Sequence, residues 1–195
     1  KPSSAASDVY KRQSLTYFVG AGVNLHLYPY LTDVGLPTGQ AIFIASGFFA
    51  ISAAGSLVWG TFLDRIALRY VLGIVLTMGM VSMGLLLWID SLPKALAFMM
   101  FYGAAFGGTQ TVITVMWATY YGRANVGAIS GAMLPIMLTT NAMGPLFGGW
   151  AYDTIGNYTL AFTVYGVACA IGAVAAFTAE APRPRPVGAA VTQPA

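Results

Sequence analysis

Six stretches of 20 or more residues in this chain contain no Asp, Glu, Lys or Arg: 13–32, 34–63, 70–89, 95–122, 124–152 and 154–179. A helix needs about 20 predominantly apolar residues to cross a hydrocarbon layer of about 30 Å. One such run could be a buried helix of a soluble domain; six in succession, separated by short polar punctuation, require lipid around them. Only 8% of the residues are charged, against about 25% in a domain that must cover itself with a wetted surface. The runs are apolar all round and too long for barrel strands, which need only about 10 alternating residues. The expectation is an all-α membrane protein with six transmembrane helices, over roughly 13–32, 40–60, 70–89, 95–119, 125–151 and 158–179.

The basic residues set an orientation. With the N-terminus in the cytoplasm, Lys1, Lys11, Arg12, Arg65, Arg69, Arg123, Arg183 and Arg185 all lie inside, leaving Lys94 alone outside. That is a strong positive-inside bias and predicts both termini cytoplasmic. The same topology accounts for the net charge of +3. The bases are spread over separate segments with no aromatic platform, so nucleic acid is not an expected partner. The lone Cys169 sits in an apolar run and reads as a small packing residue. Residues 1–12 read as the end of a cytoplasmic linker with further protein upstream, residues 13–179 as the six-helix domain, and the proline-rich 180–195 as a disordered cytoplasmic tail.

A weak internal repeat organises the membrane domain. Gly60-Thr-Phe-Leu-Asp64 ends the second run and Gly149-Trp-Ala-Tyr-Asp153 ends the fifth, the same Gly-x-x-x-Asp pattern 89 positions on. Three helices separate the copies, so one lies inside and the other outside. A 3+3 inverted repeat, frequent in secondary transporters, has that arrangement. Three Gly-x-x-x-Gly pairs, Gly103/Gly107, Gly127/Gly131 and Gly144/Gly148, put small residues on one helix face for close helix contact in lipid. Pro135, inside the fifth helix, removes a backbone donor and is expected to kink it.

With these residues in view, the chain resembles the major facilitator superfamily. Gly60-Thr-Phe-Leu-Asp64-Arg65-Ile-Ala-Leu-Arg69 is similar to the signature loop between the second and third helices of a half, with Ala67 and Leu68 where the family usually has glycine and a further basic residue. The segments His26-Leu-Tyr-Pro-Tyr30, Thr32-Asp-Val-Gly35, Tyr121-Gly-Arg-Ala-Asn-Val-Gly127, Gly144-Pro-Leu-Phe-Gly-Gly149 and Asp153-Thr-Ile-Gly156 resemble monocarboxylate and oxalate/formate-type carriers. The resemblance implies helices seven to twelve of a twelve-helix fold, paired with an N-terminal six-helix half. It implies a multi-pass protein of the plasma (inner) membrane. It also implies alternating-access transport of a small solute, proton-coupled or by exchange, with small organic anions as one substrate class. Asp64 at the end of a helix opposes the helix dipole and calls for a partner. By resemblance, Gly60, Asp64, Arg65 and Arg69 would form a conformational latch at a moving interface, with Asp153 its outer counterpart; the alternative is that these charges are solvated topology markers.

The family architecture points the first, second, fourth and fifth helices at the central cavity and the third and sixth outward. Polar groups inside a membrane are costly unless paired or wetted, which makes Asn24, His26, Gln110 and Asn141 the candidates for solute binding. Gln110 and Asn141 could instead bond neighbouring helices. His26, the only histidine, could relay a proton or hold a carboxylate, or simply bond a nearby carbonyl. The neighbouring threonines can satisfy themselves on their own helix backbone. Carriers of the resembled branch often place a basic residue within a helix of this half, and none occurs in 34–63 or 124–152. A charge partner for an anion would then come from the other half, or the substrate is not a small anion. No cofactor or metal site is expected, and a membrane enzyme is disfavoured because the runs hold no acid and only one His and one Cys. A self-assembling six-helix pore or a half-size carrier is the remaining alternative, although no loop is long enough for a selectivity filter.

Overall fold

The computed structural model describes residues 4–121 and 126–178. It contains six helices, α1 (Ser4–Asp33), α2 (Thr38–Leu63), α3 (Leu68–Leu87), α4 (Leu92–Tyr121), α5 (Val126–Ile155) and α6 (Thr159–Phe177). Four of them, α2, α3, α4 through Met116, and α6, are long and apolar enough to cross a membrane by length and composition. Helices α1 and α5 carry the in-helix prolines, Pro29 in the first and Pro135 and Pro145 in the second. The boundaries fall within a few residues of the apolar runs except at the start of α1, which begins nine residues early. Helix formation does not stop where the apolar pattern stops; a segment rich in Ala, Ser and Asp can add turns outside the hydrocarbon. Helix α5 runs on through Pro135, which lies inside it as the sequence places it. The tail 180–195, with Arg183 and Arg185, and the basic residue Arg123 lie outside the described residues.

Two turns rest on glycine. Gly35, after α1, has φ +90°, and Gly156, after α5, has φ +77°. Neither has another atom near the place a Cβ would occupy, so the constraint is the left-handed backbone alone. Alanine at either position is expected to destabilise the fold by about 1–2 kcal/mol, a loss that thermal unfolding in detergent would register without any change in spectral helix content.

The α1–α5, α2–α4 and α3–α6 pairs follow an inverted repeat, whereas α3–α4 is far more extensive than its repeat mate α1–α6. Helix α1 packs along α5 and α2 along α4, while α3 packs against both α6 and α4. Exchanging the triplet α1–α3 with α4–α6 turns the α1–α5 pair into α4–α2 and maps α3–α6 onto itself. The repeat also extends beyond the two loops. Gly55 and Gly144 are again 89 positions apart, and each sits at the close crossing of its pair. A Cβ on Gly55 would lie 3.3 Å from Ala104 Cα, and one on Gly144 would run into the Phe18 carbonyl. Gly103 and Gly107 lie against the α2 backbone at Phe48 and Ser52, and Gly148 lies against His26. Two of the three glycine pairs thus do the packing expected of them. In the third, Gly131 faces open space and Gly127 lies outside the described side chains.

Packing is uneven along the bundle. The larger core, built around Leu27, Ile44, Phe48, Phe98, Phe162 and Tyr165, occupies the end bearing the α1–α2, α3–α4 and α5–α6 turns. At the other end the described residues form a smaller cluster of Val71, Leu72, Val75, Leu76, Val112, Ala173 and Ala176. There α5 exposes Leu134, Ile136 and Leu138, and the C-terminal half of α2 exposes Leu57 and Val58. Helix α6 presents Val167, Ile171, Val174 and Phe177 outward, an all-apolar surface suited to lipid.

Candidate functional site: a polar cavity among three helices

Where α1, α4 and α5 diverge they line an open cavity of about 440 Å³, within the range of small-molecule sites. Helix α1 contributes Thr16, Tyr17, Gly20, Ala21, Asn24 and Leu25, helix α4 contributes Phe106, Thr109 and Gln110, and helix α5 contributes Asn141 and Pro145. These positions recur at three- and four-residue steps, so each set is one face of its helix. Three of the four solute-binding candidates, Asn24, Gln110 and Asn141, are brought together at this cavity. Helix α2 contributes no residue to this cavity: it lies along α4, and its uncovered face bears Ile42, Phe43, Phe49 and Leu57.

The three carboxamides are in different states. Asn24 Oδ1 accepts a hydrogen bond from the Tyr102 hydroxyl at 2.7 Å, which fixes the amide's orientation and leaves its N–H groups available. Gln110 and Asn141 are exposed, and neither side chain is bonded to another described residue. The nearby threonines are satisfied locally, as anticipated: Thr114 donates to the Gln110 carbonyl, Thr139 to Pro135 and Thr140 to Ile136. Pro145 has no N–H to offer the Asn141 carbonyl four residues back, which adds an acceptor at that wall. The site can therefore both donate and accept without a formal charge.

The repeat also relates the two principal walls. Because Gly55 meets Ala104 and Gly144 meets Phe18, exchange of the triplets places Phe18 onto Ala104. The same shift of 86 positions carries Asn24 onto Gln110. Residues exchanged by an axis in the membrane plane sit at equal depths from opposite faces. A cavity lined by both straddles that axis.

His26 is placed elsewhere. Its Nε2 donates to the Pro145 carbonyl at 2.9 Å, its ring lies 5.1 Å from the Tyr158 ring, and it is not among the cavity-lining residues. Of the readings open to it, the geometry supplies the carbonyl bond: His26 ties α1 to α5 just behind the cavity. The hydroxyls of Tyr165 and Tyr30 make similar ties, to Gly144 and Leu86. Trp59 Nε1 donates to the Ala104 carbonyl at 2.9 Å, joining α2 to α4.

The signature loop is a tight turn closed by Arg65 N and Ile66 N, both donating to the Phe62 carbonyl. Asp64 and Arg65 are exposed, and among the described residues neither belongs to a recorded ion pair. Arg69 Nη2 donates to the Tyr70 hydroxyl at 3.0 Å, with the guanidinium 4.7 Å over that ring. A Cβ at Gly60 or at its repeat mate Gly149 would meet nothing within 4 Å. Asp153 is exposed at the other end of the bundle. At that same end Lys94 pairs with Asp90, and the hydrogen bond from its ammonium holds the Asp90 carboxyl below the usual carboxylate range.

Tyr102, Phe106 and Pro145 were not singled out from the sequence. Tyr102 and Phe106 lie eight and four positions before Gln110, and Pro145 lies four after Asn141. Walking one helical turn at a time from the polar residues finds all three.

Comparison with known proteins adds the family. Residues 13–194 match the family model described as Major Facilitator Superfamily. The chain is 28% identical over 148 residues to monocarboxylate transporter 12 of Rattus norvegicus, covering 74% of this chain and 30% of that protein. It is 27% identical to monocarboxylate transporter 12-B of Danio rerio over 74% of this chain and 31% of the relative. For monocarboxylate transporter 12 of Homo sapiens the identity is 27%, over 73% of this chain and 28% of the relative. The chain thus spans less than a third of the length of these relatives. With six helices paired as an inverted repeat and a family match over nearly its whole length, the chain belongs to the Major Facilitator Superfamily.

Proposed function

We propose that this chain is the six-helix C-terminal half of a secondary active transporter that moves a small organic solute across a membrane by alternating access. The observation that carries the reading is the cavity itself, where three carboxamides from three helices face one space in a bundle otherwise apolar. A carrier needs such a site: polar enough to replace the solute's water, and weak enough to release it. The similarity to monocarboxylate transporters supports a small carboxylate as the substrate, with the carboxamide N–H groups donating to its oxygens. The balancing positive charge, if the solute is an anion, comes from the N-terminal half, and the protein lies in the plasma (inner) membrane with both termini cytoplasmic. Proton coupling or exchange is the accompanying expectation.

We assign Asp64, Arg65 and Arg69 to a latch that holds one conformation of the carrier, with Asp153 its counterpart on the opposite face. The exposure of Asp64 and Arg65 and the open space beside Gly60 and Gly149 support a surface that closes against something beyond these six helices.

The test is uptake into proteoliposomes by the full-length protein, using labelled short-chain carboxylates. Because neither Gln110 nor Asn141 bonds a described residue, Gln110→Leu and Asn141→Leu are expected to keep the wild-type unfolding temperature. Each removes a polar contact worth about 1–3 kcal/mol, so apparent affinity should fall by about tenfold to a hundredfold. Uptake within twofold of wild type in both variants would remove the cavity from the transport route.

A further inference from the structure

The polar cavity has a second, apolar space behind it. A pocket of about 40 Å³ lies between α1, α3, α4 and α6, walled by Leu15, Val75, Leu76, Ala105 and Cys169. Four residues line both spaces: Thr16, Gly20, Phe106 and Thr109. The partition between them is thin. A Cβ on Gly20 would lie 3.5 Å from the Phe106 ring, so that ring edge rests directly on bare backbone. Glycines also make the room behind it, since a Cβ on Gly79 would lie 3.3 Å from Cys169 Sγ and one on Gly172 would lie 3.2 Å from Leu76.

The contents of this space follow from its walls. A water molecule needs two to four polar partners to occupy a cavity, and a dry cavity of about 150 Å³ takes a benzene. Here the Tyr102 hydroxyl is already given to Asn24, and beside Thr16, Thr109 and the weakly polar Cys169 thiol the lining is hydrocarbon and backbone. The pocket is therefore poor for water and good for carbon. Scaled from the benzene cavity, it admits about two carbon atoms.

We infer that this pocket is a tail subsite for the transported solute: the polar head lies among Asn24, Gln110 and Asn141, and a short unbranched alkyl tail passes Phe106 into the space walled by Val75, Leu76 and Cys169. The assignment rests on the transport reading above and adds a substrate class to it, amphiphilic small solutes in place of fully polar ones. It makes Phe106 and Ala105, on the same helix as Gln110, and Cys169, on α6, specificity-determining residues.

The test is calorimetric titration of the full-length protein with acetate, propionate, butyrate, valerate and hexanoate, alongside the matching n-alkanols. Each methylene buried contributes about 0.8 kcal/mol, or about fourfold in affinity. Affinity should rise about fourfold per carbon for about two carbons and then level off, as the volume dictates. Ala105→Val, which fills the pocket without touching the polar cavity, should abolish the rise and leave acetate binding unchanged. Cys169→Ala, which enlarges it, should move the plateau out by about one carbon and serves equally if the valine variant fails to fold. A chain-length series that is flat in the wild type, or whose plateau neither variant moves, overturns the tail subsite while leaving the carrier site standing. Absence of binding by every member of both series overturns the carrier site, and the subsite with it.

Discussion

Leucine at Gly144 prevents α1 from seating against α5, and the full-length protein carrying it is expected to be recovered mainly as aggregate. The obstacle is backbone: even the first carbon of a side chain at 144 would run into the Phe18 carbonyl and lies 2.9 Å from Gly22 N. Side chains can rotate away from a clash, but a helix backbone can only shift as a whole. That shift would also pull Tyr165 from its bond to the Gly144 carbonyl and His26 from its bond to Pro145. Overpacking a well-formed interface costs about 1–3 kcal/mol even where rotamers can respond, and here two interhelical hydrogen bonds of about 1 kcal/mol each go with it. Gly107→Leu at the repeat-related crossing, where the Ser52 carbonyl stands in the way, should fail in the same manner. Gly149→Ala is the control, having open space around it. Size-exclusion profiles of the three variants decide the matter: a monodisperse Gly144→Leu protein with a wild-type unfolding temperature would mean that the α1–α5 crossing is looser than described.

The second large effect concerns turnover. With the latch assigned as proposed, Asp64→Asn and Arg65→Ala are expected to slow transport about tenfold to a hundredfold while solute affinity stays within about twofold. A charge-assisted hydrogen bond contributes about 1.5–3 kcal/mol, and each 1.36 kcal/mol lost from the stabilisation of a rate-limiting conformation is about tenfold in rate. Affinity is spared because Asp64 and Arg65 sit at the α2–α3 turn, whereas the cavity lies among α1, α4 and α5. Equilibrium binding and initial uptake rates, measured on the same preparations, separate the two quantities. A parallel fall in both would eliminate the latch and leave the loop as an orientation signal.

The existence and order of the helices could be read from charge spacing alone, because lipid tolerates so few ionised groups that their positions punctuate the chain. The start of α1 could not, since a helix extending into water obeys no apolar pattern. Which helices touch was not legible in the sequence: the matching loops at Asp64 and Asp153 imply a twofold relation, and that relation only ties the α2–α4 pair to the α1–α5 pair once one of them is seen. In the cavity, Asn24, Gln110 and Asn141 were visible as polar groups with no cheap place in lipid. Tyr102 was not, because a tyrosine in an apolar helix looks like packing until its hydroxyl is seen to meet Asn24. His26 shows the limit most clearly. Its residue type allowed proton relay, anion binding or a carbonyl bond, and only the α1–α5 crossing shows the Pro145 carbonyl within reach.

The crossing at Gly55 and its mate at Gly144 bears on ancestry. A contact that maps onto itself when two units are exchanged is the kind that joins two identical subunits about a twofold axis. Separate three-helix ancestors meeting this way would have shared one gene, so any change to the α2–α4 contact would have altered α1–α5 as well. Fusion into one polypeptide removes that bond between the copies. One crossing can then take up a tryptophan reaching Ala104 while the other takes up a histidine reaching Pro145, and a symmetric opening becomes free to fit a solute that has no symmetry of its own.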